Sequence, residues 1–295
     1  MEDFLKLYSR TIDSGEVTKQ LDRIRQECTG LMTTENLKKI FSLIDLTTLN
    51  TTDTRGRVEE FCDKINGFNG KFPNMPNVAA ICIYPSLVET ARKNLDVEEV
   101  KIASVSAGFP SSQTFLAIKV VESRMAVEKG ADEIDIVIPV GTFLEENYKE
   151  VFTEIGVIKQ GVDKIHVKVI LETGALPSLD HVRLASIISM EAGADFIKTS
   201  TGKLDPPATP EAVYVMADAI RDFYSRTNKK IGIKPAGGIV APEDALLYYA
   251  IVKDILGNDW LTPELFRLGA SRLANNLLSA IVKIESDREM TIEYF

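Results

Sequence analysis

Eight short apolar runs, rich in β-branched residues, recur along this chain with longer helical patterns between them. The runs are IFSLIDL (40–46), VAAICIY (78–84), VKIASVS (100–106), EIDIVIP (133–139), KIHVKVILE (164–172), DFIKTS (195–200), KIGIKPA (230–236) and LFRLGA (265–270). Strand–helix alternation repeated eight times predicts an α/β fold, a (β/α)8 TIM barrel. The rival is a doubly wound open sheet. That fold wants a glycine-rich turn after its first strand, and IDLTTLN (44–50) has none.

The helical patterns are clearest over 112–129, 180–192, 209–226 and 242–256. Several open on a capping residue or an early proline: Asp180, Thr209-Pro210 and Ala241-Pro242-Glu243. Two close on Gly-Ala-Asp, at Gly130 and Gly193, where glycine suits the position just past a helix end. Residues 1–35 read as an N-terminal extension of one or two amphipathic helices. The barrel is expected over 36–286 and a C-terminal tail over 287–295.

The net charge of −9 disfavours coating nucleic acid or an anionic membrane through bulk charge, so an anionic substrate needs a local basic pocket. No run approaches the roughly 18 apolar residues of a membrane helix, and the first ten residues, MEDFLKLYSR, do not read as a signal peptide. Cys28, Cys62 and Cys82 show neither metal spacing nor a disulfide framework. A cytoplasmic protein is the expectation. With His166 and His181 as its only histidines, the chain is poorly equipped for a zinc site, and no metal or other cofactor is expected.

In a TIM barrel the chemistry sits at the C-terminal ends of the strands. Those ends supply Asp45, Thr47 and Thr48 from the first strand, Cys82 from the second and Asp135 from the fourth. Lys168 and Glu172 come from the fifth, expected on one face by strand alternation. Lys198 and then Thr199, Gly202 and Lys203 follow from the sixth, and Lys234 from the seventh. A single lysine–aspartate pair would be read as structural. Lysines on three consecutive strands are harder to explain that way. Burial and neighbouring positive charge both disfavour an ammonium ion, and a neutral amine attacks carbonyls to form a Schiff base. On this reasoning Lys198 and Lys234 are equal candidates, and Asp135 could move the protons. The loops add a substrate class. Gly237-Gly238 after strand seven, Gly269-Ala270-Ser271 after strand eight and the glycine and lysine of STGK (200–203) together suit a phosphate.

The motifs FIKTSTGK (196–203) and KPAGG (234–238), in that order, resemble the deoxyribose-phosphate aldolase family of class I aldolases. IDLTTLN, AAICIYP (79–85), GADEIDIVI (130–138), KVILETG (168–174) and FRLGAS (266–271) add to the resemblance, which covers roughly residues 40–280. ASVSAGFPSSQT (103–114) and NDWLTPELFRLGAS (258–271) look closer to its eukaryotic-type branch. The resemblance implies reversible cleavage of 2-deoxy-D-ribose 5-phosphate to acetaldehyde and D-glyceraldehyde 3-phosphate, in deoxyribose catabolism. It implies Lys198 as the Schiff-base lysine, Lys234 as the neighbour that lowers its pKa, and Asp135 as the proton-relay acid. It also implies that Lys203, Gly237, Gly238 and Ser271 meet the phosphate. Asp45, Thr47 and Cys82 would line the mouth, with Lys168 and Glu172 supporting it.

The chain departs from the family pattern at several positions. Val240 stands where many relatives carry an arginine, and Arg272 where many carry a second small hydroxyl residue. An asparagine usual near Pro206-Pro207 is missing. The chain ends in Tyr294-Phe295, where bacterial members often end in a tyrosine that reaches the site. Arg272 is read as a substitute cation for the phosphate. His166, His181, Cys28, Cys62 and Trp260 are read as structural, and Cys82 as open to oxidation or alkylation at the mouth. The expected partner is a small phosphorylated sugar, with a homo-oligomer left open. The alternatives are a phosphosugar isomerase and a catalytically weak homologue acting as a binding or scaffold protein.

Overall fold

The computed structural model describes residues 7–287 and 289–295. Eight strands run β1 (Ile44–Thr47), β2 (Ala80–Ile83), β3 (Lys101–Val105), β4 (Glu133–Val137), β5 (His166–Ile170), β6 (Phe196–Lys198), β7 (Gly232–Lys234) and β8 (Leu268–Ala270). All neighbours pair in parallel, in the order β7-β6-β5-β4-β3-β2-β1-β8. Bridges from Ile233 to Phe266 and from Ala236 to Gly269 close the ring between β7 and β8. The expected TIM barrel is the observed fold; each of the eight runs holds one strand, with β1 reaching one residue past its run, to Thr47.

The first run is the least strand-like. Its Ile40 and Phe41 finish a helix, Thr34–Phe41, that buries Leu37, Ile40 and Phe41. That i, i+3, i+4 spacing is helical, and Thr33 caps the helix by accepting from the Asn36 amide at 3.3 Å. The helix also runs across residue 35, where the sequence suggested a boundary. Residues 1–6 of the expected extension lie outside the described residues. Beyond them, the Ser14–Cys28 helix turns Val17, Leu21 and Ile24 onto the helices Pro210–Thr227 and Pro242–Leu256.

The other helices follow their expected bounds closely. Leu179–Glu191, Pro210–Thr227 and Pro242–Leu256 each fall within a residue of the sequence reading. The fourth begins late, at Leu116, because Ser112 takes a left-handed φ of 58° that a helix does not accommodate. Thr209 caps its helix through the Ala212 amide at 3.2 Å, with Pro210 following at the first helical position. Asp180 is not a cap. Ser178 holds that position, and Asp180 Oδ1 instead accepts from the Ile12 amide at 2.7 Å, tying the N-terminal segment to the barrel.

The C-terminal tail folds back on the last helix, Leu273–Ser286. Asn275 Oδ1 accepts from the Tyr294 and Phe295 amides, both at 3.0 Å, and Asn275 Nδ2 donates to the Phe295 carbonyl at 3.0 Å. Tyr294 packs among Phe68, Phe72 and Phe295. Its hydroxyl donates to the Lys64 carbonyl at 2.5 Å, so it is held away from the lysines of the barrel mouth.

Candidate active site

Inside the barrel, side chains two residues apart on each strand point to the same side. This alternation stacks charged groups in tiers. The lowest holds Glu133 of β4 and Arg267, just before β8. Above them are Asp45 of β1, Asp135 of β4 and Lys168 of β5, and the top tier is Lys198 of β6 beside Lys234 of β7. The register pairs Asp135 with Lys168 and Lys198 with Lys234 across adjacent strands. β2 and β3 contribute small apolar groups instead: Ala80, Cys82, Ala103 and Val105, packed with Leu49.

All seven charged side chains are buried, and each has an opposite partner. Asp135 is the hub. Its Oδ2 accepts from Lys198 Nζ at 2.7 Å and Lys234 Nζ at 2.8 Å, and its Oδ1 accepts from Lys168 Nζ at 3.0 Å. Lys234 Nζ also lies 2.5 Å from Asp45 Oδ2. Lys168 Nζ donates to Glu133 at 2.5 Å, and Arg267 joins Asp45 at 2.6 Å to Glu133 at 2.8 Å. Gly269 leaves room for this packing. A Cβ there would stand 2.7 Å from the Ala236 Cβ and 3.2 Å from Lys234 Cε.

The pKa directions separate the lysines. Burial pushes the Lys198 amine below the ordinary lysine range; Asp135 opposes that and the Lys234 charge reinforces it. Burial acts the same way on Lys234, but Asp135 and Asp45 outweigh it and hold this amine above the ordinary range. Lys168 is likewise raised against its burial, by Asp135, Glu133 and Asp45. Burial would raise Asp135, yet Lys168, Lys198 and Lys234 hold it well below the usual carboxylate range. A charge count agrees. Asp45, Glu133 and Asp135 balance Lys168, Lys234 and Arg267, so the interior is neutral when Lys198 is the uncharged amine. The two lysines thus differ in their carboxylate partners: Lys198 has Asp135 alone, whereas Lys234 has both Asp135 and Asp45.

Above the lysines lies a pocket of about 270 Å³ lined by Thr47, Leu49, Asn50, Lys198, Thr201, Gly202, Lys203, residues 236–240 and residues 269–272. Its rim is set by hydroxyls. Thr199 Oγ1 and Ser200 Oγ both donate to the Ala236 carbonyl, at 3.1 and 2.7 Å, stitching the β6 loop to the β7 loop. Gly237 and Gly238 adopt φ of 83° and 74°, and side chains there would strike Pro207. Lys203 Nζ donates to the Leu49 carbonyl at 2.6 Å. Arg272 is exposed at the start of the last helix and lines this pocket together with Gly237-Gly238, whose loop neighbours its own.

Of the residues singled out in the sequence, Lys198, Thr47, Gly202, Lys203, Gly237, Gly238, Gly269, Ser271 and Arg272 line the pocket together. Lys234, Asp135, Asp45, Cys82, Lys168 and Thr199 lie beneath it or behind its wall, all essentially without exposure. Glu172 is not on β5, which ends at Ile170. It takes a left-handed φ of 54° and accepts from the Thr201 amide at 3.0 Å and hydroxyl at 2.5 Å, positioning the β6 loop. Cys82 is buried and its thiol is pushed up, first by burial, so it is not the reactive mouth cysteine the sequence suggested. The sequence reading missed Glu133 and Arg267. Strand period could have found both, since each stands two residues before an inward-facing position, Asp135 or Gly269.

A model of the DeoC/LacD family of aldolases matches residues 39–256. Over 256 residues the chain is 43% identical to the deoxyribose-phosphate aldolase of Homo sapiens, covering 82% of this chain and 79% of that protein. It is 42% identical to the Bos taurus enzyme of the same name over 252 residues, or 80% of this chain and 78% of the relative. The solved structure of deoxyribose phosphate aldolase from Aeropyrum pernix aligns over 90% of this chain and 98% of its own, with a TM-score of 0.64 at 24% identity, a likeness of fold. Triosephosphate isomerase from Bartonella henselae shares the barrel alone, at a TM-score of 0.51 and 14% identity over 83% of this chain and 99% of that one. No helix among the described residues is long and apolar enough to cross a membrane. With 218 matched residues spanning β1 through β7 and the helix after β7, the chain belongs to the DeoC/LacD family of aldolases.

Proposed function

We propose that this chain is a Schiff-base aldolase that reversibly cleaves 2-deoxy-D-ribose 5-phosphate to acetaldehyde and D-glyceraldehyde 3-phosphate. The relatives' shared name gives the substrate. The observation that carries the chemistry is the buried pair of lysines on one carboxylate, with the amine depressed at Lys198 and the charge retained at Lys234.

Lys198 Nζ attacks C1 of the open-chain aldehyde, and the carbinolamine loses water to give an imine. Removal of the proton on the C3 hydroxyl breaks the C2–C3 bond, releases glyceraldehyde 3-phosphate and leaves an enamine on Lys198. Protonation at C2 and hydrolysis free acetaldehyde and restore the amine. Asp135 is the relay. Held anionic by its three lysines, it enters as a proton acceptor and then returns the proton, with water spanning the distance to substrate. Lys234 keeps its charge throughout, favouring the neutral form of Lys198 and stabilising the developing negative charge. Lys168, Asp45, Glu133 and Arg267 hold this constellation in place from below. Thr47, Thr199 and Glu172 shape the walls, with Cys82 packed behind them.

The phosphate is assigned to the rim. Gly202 and Lys203 approach from one loop, Gly237-Gly238 from the next, and Gly269, Ser271 and Arg272 from the third. Arg272 supplies the positive charge that Val240 does not, since a guanidinium binds phosphate through two donors at once. The test is cleavage of 2-deoxyribose 5-phosphate coupled to detection of glyceraldehyde 3-phosphate. Turnover supports the reading, and an intact, folded protein without turnover overturns it.

A further inference from the structure

The buried charges of the barrel close into a ring. Glu133 meets Arg267 at 2.8 Å, Arg267 meets Asp45 at 2.6 Å, and Asp45 meets Lys234 at 2.5 Å. Lys234 meets Asp135 at 2.8 Å, Asp135 meets Lys168 at 3.0 Å, and Lys168 returns to Glu133 at 2.5 Å. The sign alternates at every step, so the ring is neutral by itself. Lys198 stands outside it. Among the described residues, Asp135 is the one carboxylate within ion-pair distance of Lys198, at 2.7 Å, and Asp135 is already shared by Lys168 and Lys234. An ammonium at Lys198 is therefore one charge too many in a buried volume.

Glu133 and Arg267 form the far side of this ring. Each is 4% exposed, and neither lines the pocket above Lys198. Arg267 is fixed from below as well, its Nε donating to the Pro263 carbonyl. Neither residue can touch a substrate held in that pocket. Stability is a weak reason for the pair, because apolar residues of similar volume often hold a core as well as a buried ion pair does. Their influence on Lys198 runs by two routes that meet at Asp135. One passes from Arg267 through Asp45 and Lys234, and the other from Glu133 through Lys168.

We infer that Glu133 and Arg267 are positioning residues that set the pH at which the Lys198 amine becomes nucleophilic, by holding the ring beneath it at zero net charge. This rests on the aldolase reading above. The groups turned toward Lys198 come from every side of the barrel. Asp45 is on β1, Asp135 on β4, Lys168 on β5 and Lys234 on β7. β2 brings Cys82, whose thiol is kept neutral by burial, and β3 brings only Ala103 and Val105. Lys203, on the loop after β6, is turned to the Leu49 carbonyl. Arginine suits the far side because it keeps its charge at any working pH, so the charge it gives the ring is fixed. Without Arg267 the ring carries a net negative charge and draws a proton onto Lys198. Without the charge of Glu133 the ring is positive and repels that proton more strongly.

The test is the pH dependence of imine formation. The unmodified protein, Glu133→Gln, Arg267→Met, Arg267→Lys and the double variant Glu133→Gln/Arg267→Met are mixed briefly with acetaldehyde and quenched with borohydride at a series of pH values. Peptide mass spectrometry then measures the label on Lys198, and a thermal melt checks each fold. The acid limb of labelling should move up by about one pH unit in Arg267→Met and down by about one in Glu133→Gln. It should return to within a few tenths of a unit of its original position in the double variant and in Arg267→Lys. Simple damage to packing would lower the labelling without moving the limb in opposite directions. Limbs that stay in place, or that move the same way in both single variants, overturn the inference alone. If Arg267→Met does not fold, Glu133→Gln decides: a downward shift supports the inference, and an unmoved limb overturns it. Absence of label on Lys198 of the unmodified protein at every pH overturns the aldolase reading, and this inference with it.

Discussion

The floor of the barrel and its rim carry similar charges but treat them differently. On the floor, Asp45, Glu133, Asp135, Lys168, Lys234 and Arg267 are buried and interlocked at 2.5 to 3.7 Å. At the rim, Arg272 is exposed and has no carboxylate within reach among the described residues, and Lys203 spends its ammonium on a backbone carbonyl. A buried ion must be paired, because removing one partner leaves a charge that costs about 3–5 kcal/mol. An exposed one is solvated and can wait for a ligand. The floor therefore biases the protonation states at rest, and the rim supplies charge only when an anion arrives. Substitutions on the floor should alter rate and pH dependence, whereas substitutions on the rim should alter affinity.

The largest effect expected from breaking the floor is at Asp135. Asp135→Asn keeps the shape but removes the hub of three lysines and the proton relay, and turnover should fall by about 10²-fold or more. Stability should fall as well, because Lys168, Lys198 and Lys234 lose their shared counter-charge. Steady-state kinetics with a thermal melt separates the two losses. Turnover within a few-fold of the unmodified protein would move the relay to another group.

Lys234→Leu tests the floor through pH. Burial is the main force lowering the Lys198 pKa, and the Lys234 charge adds to it. Removing that charge lets the Lys198 pKa rise, so its neutral fraction falls at any given pH below it. The optimum for imine formation should move to higher pH, and each unit of movement corresponds to about 1.4 kcal/mol. An unchanged profile with activity retained would show that Lys234 does not tune Lys198.

The smallest expected effect is at the rim. Arg272→Ser should raise KM for 2-deoxyribose 5-phosphate by several-fold to about tenfold, with kcat little changed and unphosphorylated deoxyribose hardly affected. That split is the signature of a group that binds without tuning the chemistry. Equal effects on both sugars, or none on either, would place the phosphate on the glycine loops alone.

The barrel was legible because strands buried on both faces read as short apolar runs, and helices opened and closed on residues such as Thr209, Pro210, Gly130 and Gly193. The cluster of Lys198, Lys234 and Asp135 was legible because lysine is out of place at the end of a buried strand. What the runs did not reveal was depth. Asp45, Lys168 and Cys82 stand at strand positions much like that of Lys198, yet the barrel puts them below or behind the pocket. Which tier a side chain occupies depends on the stagger between strands, which no single run encodes. Glu172 was misplaced for a local reason. Its left-handed backbone ends β5 two residues early, and nothing in KVILETG marks that turn except the glycine that follows two residues later. The resting place of Tyr294 depends on Asn275 and on aromatic rings some 220 residues away in sequence, such as Phe68 and Phe72.

The central claim is that the floor makes Lys198, and not its neighbour Lys234, the nucleophile. Borohydride reduction in the presence of acetaldehyde traps the imine as a stable secondary amine, and peptide mass spectrometry locates it. The account predicts an added ethyl group, about 28 Da, on the peptide containing Lys198 and none on the peptide containing Lys234. Labelling confined to Lys234 would contradict it, because the amine held charged by Asp135 and Asp45 would then be the reactive one.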